Sequence, residues 1–203
     1  MFYNNQVCDN RRNNQEAGGI KRETKDYFEI HTHKAVFISS GIYIVSKVAL
    51  FASVRETLFM KKSDVAVQCL ASGFNCAQAV FATYSEFGLK PEIALKIAGG
   101  FGGGMGISET CGAVTGAFML IGLKYGNVNV DDMVNKRKTK LLITEFTRRF
   151  IELNNSVKCK ELLAYDISIP EEMSIVREKK LFSTICPKLV KDSSEIIEEL
   201  LEL

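Results

Sequence analysis

Six of the eight residues from Gly99 to Gly106 (GGFGGGMG) are glycine, and the stretch that follows carries Gly112 and Gly116 four residues apart. Glycine opens positive φ to the backbone and lets two backbones approach with no side chain between them. The chain is thereby constrained twice. A turn that other residues could not adopt leads into a helix packed unusually close to its neighbours, and Ala113 and Ala117 continue the small face. A phosphate loop does not fit these residues: no G-x-G-x-x-G register matches, no strand pattern precedes the run, and no Lys-Ser or Lys-Thr pair follows it.

From Met60 onward the patterning around this run is helical. Ser63 and Asp64 open a helix to about Ala71, which Gly73 breaks. Asn75 caps CAQAVFATYSEF, stopped by Gly88, and Pro91 suits the first turn of PEIALKIA. Ser108 is placed to cap TCGAVTGAFMLIGLKYG, which Gly126 ends. Asp131 or Asp132 starts a longer amphipathic helix to about Asn154, with Leu141, Leu142, Phe146, Phe150 and Leu153 on one side. Ser156 caps a short helix to about Ala164, and a connecting region follows. Pro187 then starts the last helix, with Leu189, Ile196, Ile197, Leu200 and Leu201 facing inward. No strand ladder is visible, so the expected fold is all-α: a compact multi-helix bundle from about residue 60 with a Gly-rich turn.

The first 59 residues read differently. Residues 1–34 are polar, rich in Asn and charge, and lack any periodicity, which predicts a poorly ordered extension. Residues 35–59 are apolar and β-branched, but a bilayer span through the apolar part, 35–54, is disfavoured. Lys47 at its middle would cost about 2.5–3.5 kcal/mol, and Ser39, Ser40, Gly41 and Ser46 weaken the span further. The segment also lies too far from Met1 to be a cleaved signal. The expected division is an extension over 1–59 and a domain over 60–203, with translation expected to begin at Met60.

A formal charge of +2 is too small for a polyanion-binding surface, so nucleic acid is not an expected partner. The basic run Lys136, Arg137, Lys138 and Lys140, with Arg148 and Arg149, falls on the polar face of one helix and reads as solvated. Six cysteines in 203 residues are too sparse for a secreted disulfide framework, and a reducing, cytoplasmic setting is expected. Histidine is more decisive. His31 and His33 are the only two, which excludes Ser-His-Asp and Cys-His catalysis, Cys2His2 zinc and His-ligated haem from everything downstream.

What remains for chemistry is sulfur. Cys76 directly follows the Asn75 cap, Cys111 lies three residues after Ser108, Cys159 three after Ser156, and Cys186 just before Pro187. Each of the four is therefore expected at a helix start, where unsatisfied N–H groups and the positive end of the dipole favour a thiolate. Lys158, Lys160 and Lys188 would add to this, whereas Glu109 beside Cys111 would oppose it. Cys8 and Cys69 are expected to be structural.

At these residues the chain resembles a family of small redox-active bacterial proteins, the C_GCAxxG_C_C family, recognised by four separated cysteines with the second in a CGAxxG element. Here that element is Cys111-Gly112-Ala113-Val114-Thr115-Gly116, and the other three cysteines fit GFNCAQAV at Cys76, CKELL at Cys159 and CPKLV at Cys186. The resemblance runs from about Met60 to the C-terminus and implies a redox role. It leaves substrate and cofactor open, and the first 59 residues have no counterpart in it.

Three readings follow. The leading one is thiol–disulfide chemistry by clustered Cys76, Cys111, Cys159 and Cys186, with a redox partner protein or a small thiol as the other reactant. The second uses the same four cysteines as ligands of a metal ion or iron–sulfur cluster, although the intervals of 35, 48 and 27 residues contain no C-x-x-C. The third is a non-catalytic helical interaction protein whose cysteines fill the core.

Overall fold

The computed structural model describes residues 60–84 and 87–203. The expectations for 1–34 and for the apolar segment 35–59 fall outside these residues, as do Cys8, His31 and His33. The described residues form helices, with no strand among them and only an isolated bridge between Thr110 and Lys158. Among them no helix is long and apolar enough to cross a membrane.

In chain order the α-helices are α1 (Lys62–Ala71), α2 (Cys76–Thr83), α3 (Pro91–Ala98), α4 (Gly112–Tyr125), α5 (Met133–Asn154), α6 (Cys159–Leu163), α7 (Pro170–Glu178), α8 (Leu181–Thr184) and α9 (Cys186–Leu201). Between α3 and α4 the glycine run makes a 3-10 turn over Gly99–Phe101 and a wide turn over Gly104–Ser108. Helices α2, α4 and α9 pack on one another at the centre, with α1 against α2 and α9, α3 against α2, and α5 across α4 and α9.

Start and stop signals explain most boundaries. Asn75 forms a full capping box with Gln78: its side chain accepts from the Gln78 N–H while the Gln78 side chain accepts from the Asn75 N–H. Asp132 caps α5 through the Asn135 N–H, and Pro91, Pro170 and Pro187 sit in first turns. The part of the sequence read as a connection, 165–186, contains α7 and α8. Both are short, and α8 begins after a left-handed Lys180, so they lack the long periodicity from which the other helices are legible.

The amphipathic reading of α5 needs correction. Phe146 and Phe150 are fully buried, but Leu141 and Leu153 are 63% and 56% exposed. The buried stripe is narrow because α5 meets the bundle through two aromatic rings, Phe146 packing edge-on to Phe118 and stacking on Phe150. The last helix behaves as expected at Leu189, Ile196, Ile197 and Leu201. Polar ties fix it in place. Glu198 Oε1 accepts from the Ser63 N–H at 2.9 Å and the Tyr84 hydroxyl at 2.8 Å, and the Ser193 hydroxyl donates to the Ala113 carbonyl at 2.7 Å. Lys136, Arg137, Lys138 and Lys140 are exposed, as a solvated face requires.

Candidate functional site

The four cysteines singled out by the sequence stand at the starts of α2, α4, α6 and α9, and all four have free thiols. Cys76, Cys159 and Cys186 are the first residues of their helices, while Cys111 occupies the cap position of α4, its carbonyl accepting from Val114 and Thr115. Ser108 does not cap α4. Its hydroxyl is buried and accepts from the Ile167 N–H at 2.7 Å, tying the glycine turn to the chain that leaves α6.

Two devices bring separate helix starts together. The first is the glycine seam. A Cβ at Gly112 would lie 3.0 Å from the Ala77 nitrogen and 3.1 Å from the Cys76 Cβ, and one at Gly116 only 2.8 Å from the Ala77 carbonyl. Only a bare backbone allows α4 to lie this close to α2, which places Cys111 beside Cys76. At Gly104 (φ +60°) the same economy operates in the turn, since a Cβ there would lie 2.5 Å from the Glu109 nitrogen and 2.9 Å from the Cys159 Cβ. The second device is the Thr110–Lys158 bridge: the Cys111 N–H donates to Val157 at 2.8 Å and the Cys159 N–H to Glu109 at 2.7 Å. It pins the entry of α4 to the entry of α6.

The result is a single cavity of about 410 Å³ whose wall includes Cys76, Cys111, Cys159 and Cys186. Cys76 is its hub. It packs against the main core, which contains Cys111, and also against a smaller cluster that contains Cys159 and Cys186. The remaining wall is mostly apolar: Leu70 and Phe74 from α1 and the turn after it, Leu162 from α6, Met173 from α7 and Phe182 from α8. The last two come from the region the sequence left as a connection, and their apolar character alone gave no sign of the site. Asn75 also lines the cavity and donates to the Gly99 carbonyl at 3.0 Å, so one side chain both caps α2 and holds the glycine turn. The N-x-x-Q spacing at Asn75 and Gln78 was a legible signal of that role.

The electrostatics overturn one expectation. In this arrangement Cys76, Cys111 and Cys159 are held protonated. Contact with the Cys186 thiol, followed by burial, holds Cys76 well above the ordinary range. Burial first, then the neighbouring Cys76, raises Cys111 from 9.0 to about 12, although the Ala113 and Val114 amides pull the other way. Burial, with Cys111, Cys76 and Asp166 nearby, raises Cys159 to about 12 as well. Desolvation outweighs the helix-start amides. The lysines expected to help are engaged elsewhere: Lys160 pairs with Glu109 at 3.2 Å, Lys188 with Asp192 at 2.6 Å, and Lys158 lies 4.0 Å from Glu161. Among the described residues no three His, Cys, Asp or Glu side chains form a group that could hold a metal ion.

Fold and site together define an all-α protein with a mostly apolar, thiol-lined cavity at the convergence of four helix starts. The chain belongs to the family described as "Putative redox-active protein (C_GCAxxG_C_C)", whose model matches residues 74–200. The family pattern has Gly before Cys where this chain has Cys111 before Gly112. No curated protein and no solved structure matches the chain.

Proposed function

We propose that the protein performs dithiol–disulfide redox chemistry, with Cys76 and Cys186 as the primary pair and Cys111 and Cys159 as the thiols within reach of it. The observation that carries this reading is the shared cavity: four cysteines spread over 110 positions of sequence line one wall, and Cys76 contacts the Cys186 thiol. Core filler has no reason to gather at one solvent-sized opening.

In the step, the two S–H bonds of Cys76 and Cys186 break and one S–S bond forms. Two electrons and two protons leave for an acceptor, which for a disulfide R–S–S–R returns two R–SH. Cys76 is suited to the centre of such an exchange because it adjoins both apolar clusters, one containing Cys111 and the other Cys186. Its protonated resting state makes it slow toward adventitious oxidants and dependent on a reactant that enters the cavity.

The test is mild oxidation of the reduced, folded protein with diamide, followed by thiol counting and peptide mapping. The expected result is loss of two of the four cavity thiols per chain and a Cys76–Cys186 peptide, with Cys186→Ser shifting the bond to Cys76–Cys111. A folded protein in which all four thiols survive stoichiometric diamide would reject the reading.

A further inference from the structure

The cavity wall also says what can enter. Among the described residues no Lys, Arg, Asp or Glu side chain lines it. The polar side chains in the wall are those of Asn75 and Ser183, and Asn75 is already committed to the Gln78 N–H and the Gly99 carbonyl. The backbone of Gly102, Gly103, Gly106 and Gly112 supplies the other polar surface. A reactant bearing carboxylates or ammonium groups would surrender their hydration here with no counter-charge in return. A volume of about 410 Å³ lies in the range of small-ligand sites and leaves ample room for a single-ring molecule.

We infer that the cavity is the binding site of a small, uncharged, largely apolar hydrogen acceptor of the quinone class, which exchanges two electrons and two protons with the Cys76–Cys186 pair. This rests on the dithiol reading above and specifies its reactant. The balance is complete: both S–H bonds break, the S–S bond forms, and the two carbonyl oxygens of the quinone take up the two protons and two electrons to become hydroxyls. Reactants and products are neutral throughout, as an uncharged wall requires. Exchange with a charged peptide disulfide would instead bring carboxylates into the cavity and form a thiolate leaving group inside it.

The experiment uses the full chain, reduced and freed of reductant under anaerobic conditions. Four oxidants are compared: tetramethyl-1,4-benzoquinone, whose substituted ring cannot alkylate thiols; its trimethyl sulfonate analogue; neutral dipyridyl disulfide; and glutathione disulfide. Each rate is divided by the same oxidant's rate with dithiothreitol, which removes intrinsic reactivity. The neutral quinone is expected to exceed its sulfonate and glutathione disulfide by tenfold or more, and to exceed dipyridyl disulfide. Equal normalised rates for the two quinones, or a faster neutral disulfide, would overturn the inference.

A binding arm separates this from the dithiol reading. The Cys76→Ser/Cys186→Ser double variant, its helicity checked by circular dichroism, should bind the neutral quinone but not the sulfonate in saturation-transfer NMR. Absence of binding by the folded variant counts against the inference. If diamide forms the Cys76–Cys186 bond while the quinone preference fails, only the reactant class is wrong. If diamide forms no bond, the dithiol reading itself fails.

Discussion

Where α2 meets α4 the contact is backbone against backbone; where α5 lies across α4 and α9 it is made by Phe146, Phe150 and Phe118. The first seam has no side chain that can adjust, so the distance between helices is set by Gly112 and Gly116. The second is a side-chain contact that can repack. Cys76 and Cys111 stand at the rigid seam, and none of the four thiols is on α5. A disulfide closes only when the two Cβ atoms lie within a narrow range of separations, and closeness of backbone is one way to hold them there. The flexible seam contributes burial alone.

The difference can be attacked first by pH. Cys111 and Cys159 keep their protons in the folded state up to about 12, whereas the ordinary value is 9.0. Unfolded chains therefore release these protons first. The stabilisation is full below about pH 9 and is lost as pH rises from there toward 12. The urea midpoint of the wild type should fall more steeply over this window than that of Cys111→Ala. Parallel curves would mean the site region is not where the protons are held.

At the flexible seam, Phe146→Ala should destabilise by about 4 kcal/mol in urea unfolding, because a fully buried ring leaves a cavity. It should leave the Cys76–Cys186 oxidation product unchanged. At the rigid seam, Gly116→Ala places a methyl 2.8 Å from the Ala77 carbonyl of α2, and should cost about 3 kcal/mol. Unlike Phe146→Ala, it should alter which cysteines pair under diamide. If both variants change the pairing, or neither does, the contrast between the seams fails.

Smaller effects sharpen it. Asn75→Ala removes the α2 cap and the tie to Gly99, with an expected loss of about 1 kcal/mol and slower oxidation of Cys76, measurable by thiol labelling. Leu141→Ser should change stability by less than about 0.5 kcal/mol, since Leu141 is 63% exposed despite its place in an apparent apolar stripe. A larger loss would show that α5 seats more of its length than its two buried rings.

Most of this architecture is legible before any coordinates. The caps at Asn75 and Asp132, the prolines at 91 and 187, and the small residues at 112, 113, 116 and 117 each act within a few residues of themselves, so the sequence displays them directly. Local rules of that kind also sufficed to place Cys76, Cys111, Cys159 and Cys186 at helix starts. They could not show α7 and α8, whose short turns are held by contacts from elsewhere, nor that Ser108 abandons α4 to bind Ile167.

By itself, then, the sequence determined the helices and the placement of sulfur at their entries, because capping and glycine geometry are short-range. Tertiary structure alone decided that these entries share one cavity and that Cys76, Cys111 and Cys159 rest protonated. Burial is a property of everything that surrounds a group, and here its desolvation exceeds the pull of the local amides that a reading along the chain can see.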